Sequence, residues 1–200
     1  AIAQKGLLIL ELAARGEACH AAHAGSLGAR NAVRALARDL VALEGIDLGG
    51  AHPALGPTSL EPTILRGGTA RNQIPAEASA ILDLRTTPLV GHGDLIDRVR
   101  AAVEGEVRVI SRRLEPTEVA ADARIVRAAR RARPDARLFG SSTMSDLVFL
   151  RGTPSIKCGP GRTERSHTPD EFVREIEILD GARLYADLVE AFGQLQREEE

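Results

Sequence analysis

The sequence predicts a two-part α/β protein. Residues 5–114 read as an α+β domain, and the remainder is helix-rich with too few strands to close a sheet of its own. Two patterns carry the first part: stretches of period-two alternation that mark strands, and two stretches of three-and-four spacing that mark amphipathic helices. A third, one short apolar segment among three helical stretches after residue 114, carries the second.

The elements follow in order. Lys5 to Ala14 is rich in Leu and Ile and reads as a strand. Arg15-Gly16 suits a turn or bulge, Glu17 to His20 continues the pairing, and Gly25 to Gly28 reads as a loop. Asn31 stands where an N-cap belongs. Beyond it Val33, Leu36, Leu40 and Leu43 form the apolar stripe of a helix over Ala32–Leu43. Pro53 and Pro57 break the chain. Ser59 to Arg66 is a strand ended by Gly67-Gly68, and Ala78 to Arg85 alternates Ala80, Leu82 and Leu84 against Ser79, Ile81 and Asp83. Gly91 to Val103 is a second helix, with Leu95, Ile96, Val99 and Val103 on one side, and Glu106 to Leu114 is a last strand. Strand, helix, strand, strand, helix, strand is the ferredoxin-like βαββαβ plan, a four-stranded antiparallel sheet with both helices on one face.

After residue 114 the pattern changes. Asp122 to Arg133 reads as a helix, and Ser145 to Leu150 starts another. Ser155 to Cys158 is a short buried strand leading into Gly159-Pro160-Gly161. Glu171 to Gln194 is a long final helix with Ile176, Leu179, Leu184, Leu188 and Phe192 available for burial. One strand and three helices make an incomplete domain.

Composition excludes several functions. Aromatic residues are 2% of the 200, so stacking on nucleic-acid bases has no platform. The net charge is −2 with the two signs mixed, which does not suit a polyanion binder; the basic cluster Arg127 to Arg137 reads as a solvated helix face. No apolar run approaches the ~18 residues of a membrane span, and no signal peptide is visible at the start. Two cysteines, Cys19 and Cys158, make no disulfide framework, so a reducing cytoplasmic setting is expected.

Few residues point to chemistry by themselves. His167, between a glycine-rich loop and a helix start, suits a metal ligand, or it is surface polar beside a cap at Thr168 or Asp170. His20 and His23 follow a strand end; they suit metal binding or oxyanion stabilisation, or they are plain loop histidines. Arg85 ends a buried strand, where its charge needs either a bound carboxylate or an internal ion pair. Ser141, Ser142 and Ser145 lie in a small-residue loop without the Gly-x-Ser-x-Gly elbow of a serine nucleophile. Gly159-Pro160-Gly161-Arg162 lacks the Lys-Ser/Thr pair of a phosphate loop.

Four blocks together resemble the dinuclear zinc amidohydrolases that include acetylornithine deacetylase, succinyl-diaminopimelate desuccinylase, aminoacylase and carboxypeptidase G. The first runs from Ala14-Arg15-Gly16-Glu17 through His20 to Asn31-Ala32-Val33. The second is Gly67-Gly68 with Asn72-Gln73-Ile74-Pro75, and the third Asp83-Leu84-Arg85 with Pro88. The last holds Gly140 to Asp146, Pro154 to Lys157, Gly159-Pro160-Gly161 and Arg165-Ser166-His167-Thr168-Pro169-Asp170-Glu171-Phe172. The wording of the last block looks most like the acetylornithine deacetylase branch.

That resemblance implies a ferredoxin-like dimerisation, or lid, domain at 5–114, with 1–4 and 115–200 as the C-terminal portion of an α/β zinc-hydrolase catalytic domain. It implies that His167 is a zinc ligand and that His20 stabilises the oxyanion in the partner subunit's site. It implies that Asn72 and Arg85 hold the substrate's carboxylate end and that Thr143 and Ser145 line the substrate. The cofactor expected is zinc, two ions in a complete enzyme, with cobalt or manganese as substitutes. The partners expected are a second copy through the lid and a small N-acyl amino acid, with no nucleic acid and no membrane. The family's His-x-Asp motif, bridging Asp and Glu-Glu pair precede the lid and have no counterpart here. One ligand cannot hold a catalytic zinc, so the chain alone is expected to hold no stable metal and to be inactive, as part of a longer enzyme. The rival expectations are a non-catalytic dimerisation module and a ferredoxin-like small-molecule sensor.

Overall fold

The computed structural model describes residues 1–150, 152–166 and 168–200. Its strands are β1 (Ala3–Gln4), β2 (Gly6–Arg15), β3 (Cys19–His20), β4 (Ser59–Gly67), β5 (Gln73–Ile74), β6 (Glu77–Thr86), β7 (Glu106–Leu114), β8 (Thr117–Glu118) and β9 (Gly140–Ser141). Its α-helices are α1 (Ala24–Leu27), α2 (Ala32–Leu43), α3 (His92–Ala102), α4 (Arg124–Ala132) and α5 (Glu175–Glu199). The chain divides into two compact units, one of residues 5–116 and one of residues 1–4 with 117–200.

The first unit is built on a four-stranded sheet in the order β4-β6-β2-β7, with every neighbouring pair antiparallel. Alternation in the sequence sets its two faces. Leu8, Leu10 and Leu12 of β2 lie opposite Leu84, Leu82 and Ala80 of β6, and all six are fully buried. They pack with Ala35 and Leu36 of α2 and with Leu95, Ile96 and Val99 of α3 in one cluster. Each buried Leu or Val stabilises the unit by about 1.5–3 kcal/mol. The residues between them, such as Ile9, Glu11, Ile81 and Asp83, point to the opposite face and stay half-buried.

Local chemistry fixes the helices on this sheet. Asn31 caps α2, its side-chain oxygen accepting from Val33 N at 2.9 Å and Arg34 N at 3.2 Å. The face of α2 is rotated from the expected one. Val33 is exposed, while Asp39 is buried. The reason is polar: the Asp39 carboxylate accepts from the backbone N–H groups of Glu104 and Gly105, both at 3.0 Å, and so ties α2 to the turn before β7. His92 is also buried and has both ring nitrogens engaged, by Thr86 Oγ1 at 2.8 Å and the Arg112 carbonyl at 2.9 Å. Gly25 to Gly28 is not a loop but carries the short helix α1, ended by Gly28 in the left-handed region at φ 61°.

The second unit departs further from expectation. Its strand content is a three-stranded sheet, β8-β1-β9, in place of a single strand at Ser155–Cys158, which is irregular. Lys157 N nevertheless donates to the Ala1 carbonyl at 3.0 Å, so the segment is held in an extended contact without becoming a ladder. The turn at Asp146–Phe149 is a single 3₁₀ turn in place of a helix, and α5 begins four residues later than expected and runs to Glu199. Leu184, Leu188 and Phe192 of α5 are half-buried, the last two against Ala128 of α4 with Ala191 and Leu195, whereas Ile176 and Leu179 are about half exposed. The arginines of α4 do not simply face solvent: Arg124 and Arg127 pair with Glu199, and Arg131 with Glu198. Among the described residues no helix is long and apolar enough to cross a membrane.

Candidate functional site

Gly16 shapes the end of the sheet that carries His20. A Cβ there would lie 2.3 Å from the Arg30 carbonyl and 2.6 Å from Ala32 N, so only glycine fits. The close approach lets Gly16 N donate to Ala76 O and Glu17 N donate to Arg30 O, at 2.7 and 2.8 Å. The chain then forms the two-residue ladder β3–β5, pairing Cys19 with Ile74 and His20 with Gln73. Ala21 N donates to Asn72 O at 2.8 Å. His20, on β3, and Asn72, in the turn that leads into β5, are therefore brought side by side.

Both side chains are exposed. His20 Nδ1 accepts from Ala22 N at 3.2 Å, capping the next 3₁₀ turn. That bond leaves Nε2 as the N–H donor, the arrangement needed to donate to a developing oxyanion. His23 is a second imidazole with its ring centroid 5.7 Å from that of His20.

Arg85 lies elsewhere. It occupies the opposite end of β6, paired in register with Leu7 and Ser59, while Ala78 marks the His20 end. Seven residues of strand separate Ala78 from Arg85, about 23 Å. Arg85 grips Asp83 through Nε and Nη2, at 2.8 and 3.1 Å, so the ion-pair reading of this residue describes its resting state. The pair is partly exposed, with Arg85 at 43%. A carboxylate ligand would have to compete with Asp83.

Thr143 and Ser145 belong to the second unit and do different things. Thr143 lines an open cleft of about 940 Å³, with Phe139, Lys157, Arg162, Ser166 and Phe172 around it. The Ser145 hydroxyl instead donates to Gln4 Oε1 at 2.6 Å, fixing a fully buried amide. The loop before position 167 is tied to α5 through Glu177. Arg165 Nη1 donates to it at 2.8 Å, and Arg174 N and Nη2 each donate at 2.9 Å. These donors, Arg174 foremost, hold the Glu177 carboxyl down at about 2. Arg165 also lies over the Phe172 ring, 4.5 Å from its centroid.

The expected zinc ligand, His167, lies outside the described residues. Among the described residues no group of three or more His, Cys, Asp or Glu side chains is placed to hold a metal ion. A zinc site needs three or four such donors, so the described residues do not fit one. Lys157 was not singled out as a functional residue from sequence. The available signal was a lone cation within the apolar run Ser155–Cys158.

Residues 2–110 match the family model described as the M20 peptidase dimerisation domain. The chain belongs to this M20 family. Solved M20-type structures share its fold. An aminopeptidase PepT from Bacillus cereus superposes with a TM-score of 0.76 at 19% identity, over 96% of this chain and 53% of that one. An M20 family metallo-carboxypeptidase from Sulfolobus solfataricus gives 0.73 at 14% identity, over 96% and 59%. The di-peptidase Dug1p from Saccharomyces cerevisiae gives 0.64 at 12% identity, over 97% and 56%. This M20 chain thus spans between half and three-fifths of the length of each. No curated protein sequence matches it. M20 hydrolases are metal-dependent, and the relatives' names cover aminopeptidase, carboxypeptidase and di-peptidase activities.

Proposed function

We propose that this chain is the lid and C-terminal part of a zinc-dependent M20 amidohydrolase that removes the acyl group from an N-acyl amino acid, in the manner of acetylornithine deacetylase. The observation that carries the reading is the dimerisation-domain match over residues 2–110. In this reading residues 5–114 are a ferredoxin-like lid, and residues 1–4 and 115–200 belong to the catalytic domain, where His167 is a zinc ligand. The 200-residue chain by itself turns over no substrate, because one ligand cannot hold the metal and no general base accompanies it. The enzyme works in the cytoplasm, where the free Cys19 and Cys158 stay reduced.

The lid residues divide their labour between two subunits. His20 and Asn72 share one end of the sheet and Arg85 holds the other, about 23 Å away along β6. No small acyl amino acid spans that distance within one chain. His20 and Asn72 therefore serve the partner's substrate, and Arg85, at the other end, holds a substrate carboxylate in place of Asp83. A dimer through the lid is then a requirement of catalysis. The outer edge of β4 supports that assembly, since residues 61–67 are exposed and include Ile64 and Leu65.

The coding sequence upstream of Ala1 tests the enzyme reading. An open frame encoding His-x-Asp and Glu-Glu motifs is expected, and a start codon directly before Ala1 contradicts it. Ile64→Glu tests the assembly: sedimentation should show a dimer converted to monomer, and an unchanged dimer rejects the β4 edge.

A further inference from the structure

We propose that Lys157 is the anion-binding point of the cleft in the C-terminal unit, and that it takes the carboxylate of a small organic acid. The chain has 24 arginines and only two lysines, Lys5 and Lys157. Lys157 is half-buried at the cleft wall. Its ammonium contacts Ser141 Oγ at 3.0 Å, Thr143 Oγ1 at 2.7 Å and Thr143 O at 3.2 Å. All three partners are neutral, and among the described residues no carboxylate pairs with it. Burial lowers its pKa, with no acidic neighbour acting against that shift. A desolvated charge without a counter-ion attracts one from solution.

The surroundings favour an anion. Arg137, Arg162 and Arg165 line the same cleft against one carboxylate among the described residues, Glu171, and Arg165 is ion-paired to Glu177 outside that lining. The proton count leaves room for two bonds. The Thr143 carbonyl already accepts from Ser141 Oγ at 3.0 Å, so the longer bond from Lys157 is the one to release. Thr143 Oγ1 accepts from Lys157 and is exposed, so its own hydrogen is free to turn into the cleft. One carboxylate oxygen takes the freed N–H of Lys157 and the other takes the Thr143 hydroxyl. That this acid is one end of a substrate rests on the hydrolase reading; that the cleft binds an acid does not.

Having two lysines makes the test direct. The full chain carrying ¹³C at the lysine ε-carbon should give two resonances, with Lys5, which donates to Pro57 O at 2.6 Å, as the internal control. Titration with succinate should shift Lys157 and leave Lys5 in place, and neutral succinamide should shift neither. Lys157→Met should weaken succinate binding, followed by calorimetry, by about tenfold or more, the usual worth of a charged hydrogen bond. Thr143→Val, which keeps the charge and removes the hydroxyl, should weaken it less. Equal shifts at both lysines, succinamide acting like succinate, or full affinity in Lys157→Met would overturn the proposal. None of these readouts needs a metal or turnover, so they do not depend on whether the chain is part of a hydrolase.

Discussion

The unit over residues 5–116 gathers seventeen buried hydrophobic residues into one cluster between a sheet and two helices. In the other unit the buried cluster holds three, Ala128, Ala191 and Leu195, among the described residues. The difference is one of architecture more than composition. A ten-residue strand paired on both sides, as β6 is, presents a whole face of alternate residues to two helices. Two-residue strands such as β1 and β8 present almost none, and large apolar residues of this unit remain outside. Phe139, Phe149, Phe172, Ile176, Ile178 and Val189 are all more than half exposed. The 5–116 unit therefore has the content of a self-sufficient fold, and the C-terminal unit holds its cleft with loops and ion pairs.

Substitutions can break that contrast. The largest effect is expected in the core of the 5–116 unit. Leu82→Ala removes a fully buried side chain at the centre of β6 and should cost about 2–5 kcal/mol in a denaturant titration. Leu195→Ala, in the small cluster beside α4, should fall at the bottom of that range, because a site near the surface relaxes more easily. Equal losses would remove the contrast. Next comes Asp39→Ala, which strands two backbone N–H groups and should cost about 1–3 kcal/mol in the same titration. Asn31→Ala removes a cap from α2 and should cost about 0.5–2 kcal/mol.

The smallest effect is electrostatic and belongs to the C-terminal unit. Glu177 has a folded pKa near 2, below its ordinary value of 4.5. A depressed carboxylate stabilises the fold at pH above its unfolded value, and that contribution fades as pH falls from about 4.5 towards 2. Melting curves should lose part of their acid sensitivity in Glu177→Gln, and the variant's own deficit should be visible at pH 7 and vanish below about pH 2. A deficit that persists unchanged in acid would assign the loss to packing.

The 5–116 unit was legible because its elements are long enough to have a period. β2, α2, β6, α3 and β7 follow from alternation or helical spacing within a residue or two at each end. Asp39 shows the limit: its burial comes from a turn sixty-five residues away, which no local pattern contains. The three-stranded sheet β8-β1-β9 was invisible for a related reason, since a two-residue strand carries no period and its partners are over a hundred residues apart. The apolar run Ser155–Cys158 looked like a strand but lacks a laddered partner among the described residues. Of the site, His20 and Asn72 were each visible as residues, but their adjacency is set by β3–β5 pairing. Arg85 stood in sequence as either an anion site or an ion pair, and the structure supplies the partner, Asp83. Lys157 has its meaning only through Ser141 and Thr143, sixteen and fourteen residues earlier.

Native-state hydrogen exchange across the full chain measures the contrast between the two units most directly. Amides of Leu8–Leu12 and Ala80–Leu84 should exchange only through global unfolding of the 5–116 unit, while amides in 141–150 and 152–166 open locally and exchange orders of magnitude faster. Uniform protection across both units would show that they share one cooperative core, and would contradict the account.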